Sequence, residues 1–253
     1  FLENGASIRP SSVVYDRADS SVTKATPDEF DFDEIFKDAD LFHVSGITPV
    51  LSEEAKELTL AALKKAREHH VTVSFDLNYR SKLWTSDIEG KQKMLSDMME
   101  YVDICFGNAR DAAKCLGYTE DGIDFIDGEY NICVDEEHMR NVLNRYHFTH
   151  LITTLRNSIS ASDNGWSGAV CTADDYYKGR DYKLHIVDRV GGGDSFASGF
   201  LHGILADMGS RKALEFGLAA AAIKHTIPGD LNYITGSEVL SMIESDGAGR
   251  VQR

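Results

Sequence analysis

Short apolar runs rich in β-branched residues alternate along this chain with longer stretches whose apolar positions recur every three or four residues. The short runs predict strands at Ser12–Arg17, Ala39–Ser45, Val71–Phe75, Asp103–Gly107 and His150–Leu155. The longer stretches predict helices from Ser52 towards His69, over about Ile88–Tyr101, from Ala109 to near Gly117, and up to Tyr146. In the first of these helices Ser52 is the N-cap, Glu53 and Glu54 suit the positive end of the dipole, and Leu58, Ala62 and Ala66 share an apolar face. Asn164-Gly165 predicts a tight turn, with the surroundings of Val170 and Leu184 forming a hairpin or meander. Two small-residue helices follow, about Ser195–Met208 and Arg211–His225, and Ser237–Ser245 is a last short one. The polar stretch Tyr118–Asn131 carries no assignable element.

Strands alternating with helices predict an α/β fold, a mainly parallel sheet flanked by helices, in one domain over residues 1–253. Ligands of such sheets gather at the carboxyl ends of the strands. Polar clusters stand there: Asp76–Arg80, Asn108–Asp111 and Thr153–Ser158.

Charge and composition narrow the chemistry. A formal net charge of −15 disfavours a nucleic-acid partner, which needs many cations against its phosphates. There is no run of eighteen apolar residues, so no membrane span is expected. The four cysteines, Cys105, Cys115, Cys133 and Cys171, lack C-x-x-C spacing and read as buried free thiols of a reducing cytoplasm. The nine histidines show no metal-ligand spacing. The opening Phe1, without a Met or a signal-like segment, reads as an internal point of a longer protein.

The most informative stretch is Asp188-Arg189-Val190-Gly191-Gly192-Gly193-Asp194-Ser195-Phe196. Three glycines let backbone N–H groups converge without Cβ interference, and the following helix adds unpaired N–H groups and its positive end. This is an anion pocket suited to a phosphoryl group. A carboxylate at Asp194 would repel that ligand, and it makes sense if it takes a proton from an incoming hydroxyl; a plain helix-capping role stands beside that reading. A dinucleotide fingerprint fails because Phe196 stands where its last glycine belongs, and no G-x-x-x-x-G-K-[ST] occurs.

The run DRVGGGDSFASGF resembles the signature of the ribokinase-like (PfkB) carbohydrate kinases, D-T-x-G-A-G-D followed by a small-residue helix. Arg189 and Gly192 depart from it without removing a needed N–H. The resemblance implies a ribokinase-like fold, Asp194 as catalytic base, and the Gly191, Gly192 and Gly193 amides as anion hole. It places the family's N-x-x-E motif at Asn108–Asp111, with Asp111 organising Mg2+ one methylene short of the usual Glu. ATP is implied across Asn108, Thr154, Arg156, Ser158, Gly191 and Gly193, with adenine admitted by the small residues Ala219–Ala222.

Within the family, the chain resembles 2-keto-3-deoxygluconate kinases through Tyr15-Asp16-Arg17, His43–Ile47, Asp76–Arg80 and Pro228-Gly229-Asp230. That implies Tyr15, Arg17, Asn78, Arg80 and Asp230 as substrate contacts, the arginines binding the acid's carboxylate. It also implies that an N-terminal region and lid strands are missing from this stretch, residues 10–25 being a remnant of the lid through which a homo-oligomer could form. A fructokinase, ribokinase or nucleoside kinase of the same fold is the alternative, and a non-catalytic sugar- or nucleotide-binding regulator is one of another class.

Overall fold

A computed structural model describes residues 1–3, 5–17, 19–119, 125–126, 129–130 and 136–245. In chain order the elements begin with β1 (Leu2–Glu3), β2 (Ser12–Val13), α1 (Phe32–Phe36), β3 (Leu41–Ser45) and α2 (Glu53–Glu68). Next come β4 (Thr72–Asp76), α3 (Ile88–Met98), β5 (Ile104–Phe106), α4 (Ala109–Leu116), β6 (Phe125–Ile126) and β7 (Glu129–Tyr130). Then follow α5 (Glu136–Tyr146), β8 (His150–Ser158), β9 (Asp163–Cys171), β10 (Tyr176–Lys178), β11 (Tyr182–His185), α6 (Gly192–Leu205), α7 (Ser210–Lys224) and α8 (Gly236–Glu244).

The single domain expected from sequence divides into two compact units. The parallel-sheet unit is Asp16–Thr153 with Cys171–Tyr176; the glycine-loop unit is Phe1–Tyr15, Thr154–Val170 and Tyr177–Arg253.

In the parallel-sheet unit, β3, β4, β5 and the start of β8 pair in parallel, with Phe75 between Val44 and Cys105, and Cys105 also opposite Leu151. Val73, Ser74 and Phe75 at the centre of β4 are fully buried, which explains why that strand reads as a near-continuous apolar run. Helix α2 starts as expected, Ser52 Oγ accepting from the Ala55 N–H at 3.0 Å. Its buried face is Ala55, Thr59, Ala62, Leu63 and Ala66, whereas Leu58 is only half-buried. Past the strand ends the ladder continues into the loops: Gly46 N–H donates to the Asp76 carbonyl, Leu77 N–H to Phe106 and Gly107 N–H to Ile152. Those bonds fix where the polar clusters leave the sheet.

In the glycine-loop unit β9 runs antiparallel to β11, Trp166 opposite Tyr182 and Asp163 opposite His185. The Asn164-Gly165 turn is therefore corrected: both residues lie inside β9, and the chain reverses at 159–162. There Ser160 Oγ accepts from the N–H groups of Ser162 and Asp163 at 3.1 and 2.9 Å, closing the bend. Gly165 packs closely instead, a Cβ there standing 3.2 Å from Asn157 Cβ. The strand expected over Ser12–Arg17 shrinks to Ser12–Val13, because its partner β1 is two residues long and offers no further ladder. Helices α6 and α7 pack through glycines; a Cβ on Gly203 would lie 2.6 Å from Ala213 Cα, and one on Gly199 2.9 Å from Gly217 Cα.

Cys105, Cys115 and Cys171 are free and buried, as expected; Cys133 and most of Tyr118–Asn131 lie outside the described residues. Among the described residues no helix is long and apolar enough to cross a membrane.

Candidate active site

Gly191 opens the site in the glycine-loop unit. Its φ of 71° is left-handed, and a Cβ there would stand 2.6 Å from the Asp230 carbonyl oxygen and 3.0 Å from Asp230 Oδ1. Glycine is required twice over, by backbone conformation and by close approach. It also brings Asp230 against the loop. Gly192 is pinned differently: a Cβ would meet the buried His225 ring at 2.7 Å. Gly193 faces open space, with nothing within 4 Å of a Cβ built on it.

The helix begins at Gly192, with Gly191 as N-cap, three residues before the start expected near Ser195. Ser195 N–H donates to the Gly191 carbonyl at 2.8 Å and Gly192 N–H to the Arg189 carbonyl at 3.3 Å. The N–H groups of Gly193 and Asp194 make no bond among the described residues, as the first turn of any helix dictates unless a side chain intervenes. Asp194 is exposed, caps nothing, and its carboxylate has no hydrogen bond or ion pair among the described residues. Two unclaimed N–H groups and an unencumbered carboxylate thus share one helical turn.

Buried and half-buried polar groups hold this turn in place, and sequence reasoning had not singled them out. Asp188 accepts from Val190 N–H at 3.1 Å and from Gly229 N–H at 2.9 Å, tying the glycine loop to the Pro228-Gly229-Asp230 loop. Arg189, which had looked like a mere departure from a motif, donates to the carbonyls of Ser160 and Ala161, both at 2.9 Å, and to Asn164 Oδ1 at 3.2 Å. His225 donates from Nδ1 to the Ala221 carbonyl at 2.6 Å. Burial lowers the His225 pKa most, the Ala221 bond opposes it, and like charge from Arg156, Arg189 and Lys224 pushes it lower still. A chain of strongly negative net charge thus concentrates three cations around one loop. The sequence signal for Lys224-His225 was a polar trio, Lys224-His225-Thr226, interrupting an otherwise apolar run, Ala219–Ile227.

The other expected residues of this unit are placed as follows. Thr154 is half-buried on β8, and Arg156 lies exposed with its guanidinium carbon 5.8 Å from the Trp166 ring centroid. Ser158 ends β8, and Tyr15 is exposed just past β2. Ala219–Ala222, where adenine was expected, are buried within α7.

The parallel-sheet unit gathers a second set. Asn78 has φ 44°, a left-handed conformation Asn tolerates, stabilised by its N–H donating to Asp76 Oδ1 at 3.0 Å and its Nδ2 donating to Ser45 Oγ at 3.1 Å. Arg80 is exposed and donates from Nη1 to the Tyr79 carbonyl at 3.2 Å, while Arg110 stacks 5.8 Å over the Tyr79 ring. Arg17 is half-buried. Asn108 and Asp111 form a reciprocal capping box on α4: Asn108 Oδ1 accepts from Asp111 N–H at 2.9 Å, and Asp111 Oδ2 accepts from Asn108 N–H at 3.1 Å. Burial raises the Asp111 pKa, opposed by that Asn108 bond and by the positive charges of Arg110 and Arg80. Arg80 and Asp111 therefore lie within electrostatic reach of each other.

Among the described residues no cluster of three or more His, Cys, Asp or Glu is arranged to hold a metal. A Mg2+ ion fits only as Mg2+ ordinarily binds, through one carboxylate, water and substrate phosphate. Asp111, a poorly solvated carboxylate with one oxygen engaged, is such a group.

Comparison with known proteins adds the following. The family described as pfkB family carbohydrate kinase matches residues 2–233. A 2-dehydro-3-deoxygalactonokinase of Haloferax volcanii is 34% identical over 249 residues, covering 98% of this chain and 71% of that protein. A 5-dehydro-2-deoxygluconokinase of Listeria monocytogenes is 28% identical over 200 residues, covering 78% of this chain and 54% of that protein, so this chain spans about half its length. The crystal structure of a 2-dehydro-3-deoxygluconokinase from Thermotoga maritima matches with a TM-score of 0.88 at 43% identity, covering 96% of this chain and 71% of that one.

Proposed function

The chain belongs to the pfkB family of carbohydrate kinases, and from that premise we propose that it phosphorylates a 2-keto-3-deoxy sugar acid at its terminal hydroxyl, using MgATP. Its ribokinase-like α/β fold has a mixed, mostly parallel sheet flanked by helices. The reading rests on one observation above all, the exposed and unpartnered Asp194 carboxylate beside the free N–H groups of Gly193 and Asp194. For the acid, support comes from the names of the Haloferax and Thermotoga relatives, which act on 2-dehydro-3-deoxy (that is, 2-keto-3-deoxy) sugar acids.

Asp194 accepts the proton of the attacking hydroxyl as its oxygen bonds to phosphorus and the bond to the ADP oxygen breaks. The free amides stabilise charge on the transferred group, and general-base action of this kind is typically worth about 10²–10⁴-fold. Arg80 and Arg17 bind the carboxylate, with Tyr15, Asn78 and Asp230 completing the sugar contacts. Bound MgATP supplies the phosphoryl group and a neutralising cation, with Asp111 among the residues that hold the ion and Asn108, Thr154, Arg156 and Ser158 on the nucleotide side.

A substrate panel on the whole protein, read as ADP formed, tests this. Turnover is expected with 2-keto-3-deoxygluconate and 2-keto-3-deoxygalactonate, the ratio fixing the epimer, and kcat/KM well below both for fructose, ribose and nucleosides. Equal or better kcat/KM with a neutral sugar overturns the acid assignment, and no turnover with any favours a binding protein.

A further inference from the structure

Lys224, the last residue of α7, is fully buried. Its Nζ donates to the Ile227 carbonyl at 3.0 Å, and its Cε lies 3.4 Å from where a Cβ on Gly191 would stand. The ammonium therefore sits against the first residue of the glycine loop and on the loop that leads to Asp230. It forms no ion pair among the described residues. Burying an ammonium with one carbonyl for company is costly, and a methionine of similar length would fill the same space without that cost. The Asp230 carboxylate, which also lies against Gly191, forms no ion pair with the ammonium among the described residues, and Arg156 and Arg189 add like charge around the adjacent His225. A positive charge kept here without a protein ion pair calls for an anion brought from outside, and the N–H groups of Gly193 and Asp194 are unclaimed donors beside it.

We infer that Lys224 is a positioning residue of the phosphate pocket, a fixed buried cation behind Gly191 whose counter-charge is the phosphate of the bound ligand. The inference rests on the kinase reading of the glycine loop and adds a residue to it. Lys224 touches no substrate; it strengthens the positive potential of the loop and holds the Ile227–Asp230 segment against it.

The test is phosphate binding by the whole protein, with tripolyphosphate titrated calorimetrically into the wild type, Lys224→Met and Lys224→Gln, and unliganded thermal melts beside it. Lys224→Met is expected to melt no lower than the wild type, because an uncompensated buried charge is gone, yet to bind tripolyphosphate roughly tenfold more weakly, the scale of one partly desolvated charge pair. Lys224→Gln keeps an N–H donor without the charge and should show the same weakening. A lysine that merely braces the fold behaves in the opposite way, with a lower melting temperature in Lys224→Met and tripolyphosphate affinity intact in both variants; that result overturns the inference. Binding is read without turnover, so a wild type that phosphorylates no sugar acid would overturn the proposed function and leave the Lys224 result standing. The reverse holds if turnover is present and affinity is unchanged.

Discussion

Two helices of this chain carry an aspartate at the same place, the third residue of the first turn, and the two aspartates meet opposite fates. In α4, Asp111 follows the N-cap Asn108, whose φ of −95° and ψ of 176° point its N–H back at the Asp111 carboxylate, and the two close a capping box. In α6, Asp194 follows the N-cap Gly191, whose φ of 71° and ψ of 4° and missing side chain preclude that closure. One carboxylate is partly buried and spends an oxygen on its own helix; the other stands exposed with its turn's amides unclaimed. The N-cap residue, more than the aspartate, decides which turn is structural and which is available to a ligand.

The sharpest way to break the comparison is Asp194→Asn, which keeps shape and removes basicity. The expected fall in kcat is about 10²–10⁴-fold with KM for ATP nearly unchanged. Steady-state kinetics with the acid substrate measure both, and near-normal kcat would remove the base assignment.

The glycines come next. Gly192→Ala forces a Cβ to within 2.7 Å of the buried His225 ring, and Gly193→Ala meets nothing within 4 Å. Overpacking of that kind costs typically about 1–3 kcal/mol of folding stability, so Gly192→Ala should lower the melting temperature, and kcat should fall as the loop shifts to relieve the contact. Gly193→Ala should leave the melting temperature alone, any loss falling on KM for ATP. Equal melting temperatures for the two variants would show that His225 does not hold the loop.

Arg80→Ala acts on the other unit and on binding. Losing a charge-assisted hydrogen bond to a carboxylate is worth about 1.5–3 kcal/mol, so KM for the acid should rise by roughly ten- to a hundredfold while KM for ATP stays within a factor of about two. A matching rise in both would count against a carboxylate contact.

How much of this was legible in the sequence follows from whether the controlling contacts are local. The Gly-Gly-Gly-Asp turn could be read because its chemistry lies in four consecutive residues, and the central strands β4 and β5 because their apolar runs are buried. The scaffold under the turn could not. Asp188 reaches Gly229 across 41 positions, Arg189 reaches Ala161 across 28, and the contact of Lys224 with Gly191 depends on how α7 ends. Asn164-Gly165 misled for the same reason: its glycine answers to Asn157 on the neighbouring strand and to no turn. Likewise the small residues Ala219–Ala222 announced a close approach without saying that the partner was α6.

The smallest expected effect, on Asp111, separates the structural from the metal-organising part of its turn. Its pKa is raised in the folded protein, chiefly by burial, so the folded state holds that proton more tightly than the unfolded chain. The contribution to stability is therefore fully present below the unfolded value of 3.8 and is lost as pH rises through the raised folded value. At neutral pH the charge is a liability that the cap only partly offsets. Asp111→Asn keeps an oxygen for the Asn108 N–H and removes the charge, so its melting temperature at pH 7 should be at or above that of the wild type, the difference shrinking towards pH 4. Asp111→Ala loses the cap and should cost about 1 kcal/mol. If the carboxylate also steadies Mg2+, both variants need more Mg2+ for half-maximal turnover; an unchanged requirement leaves Asp111 as a helix cap alone, and the contrast with Asp194 becomes one between structure and chemistry.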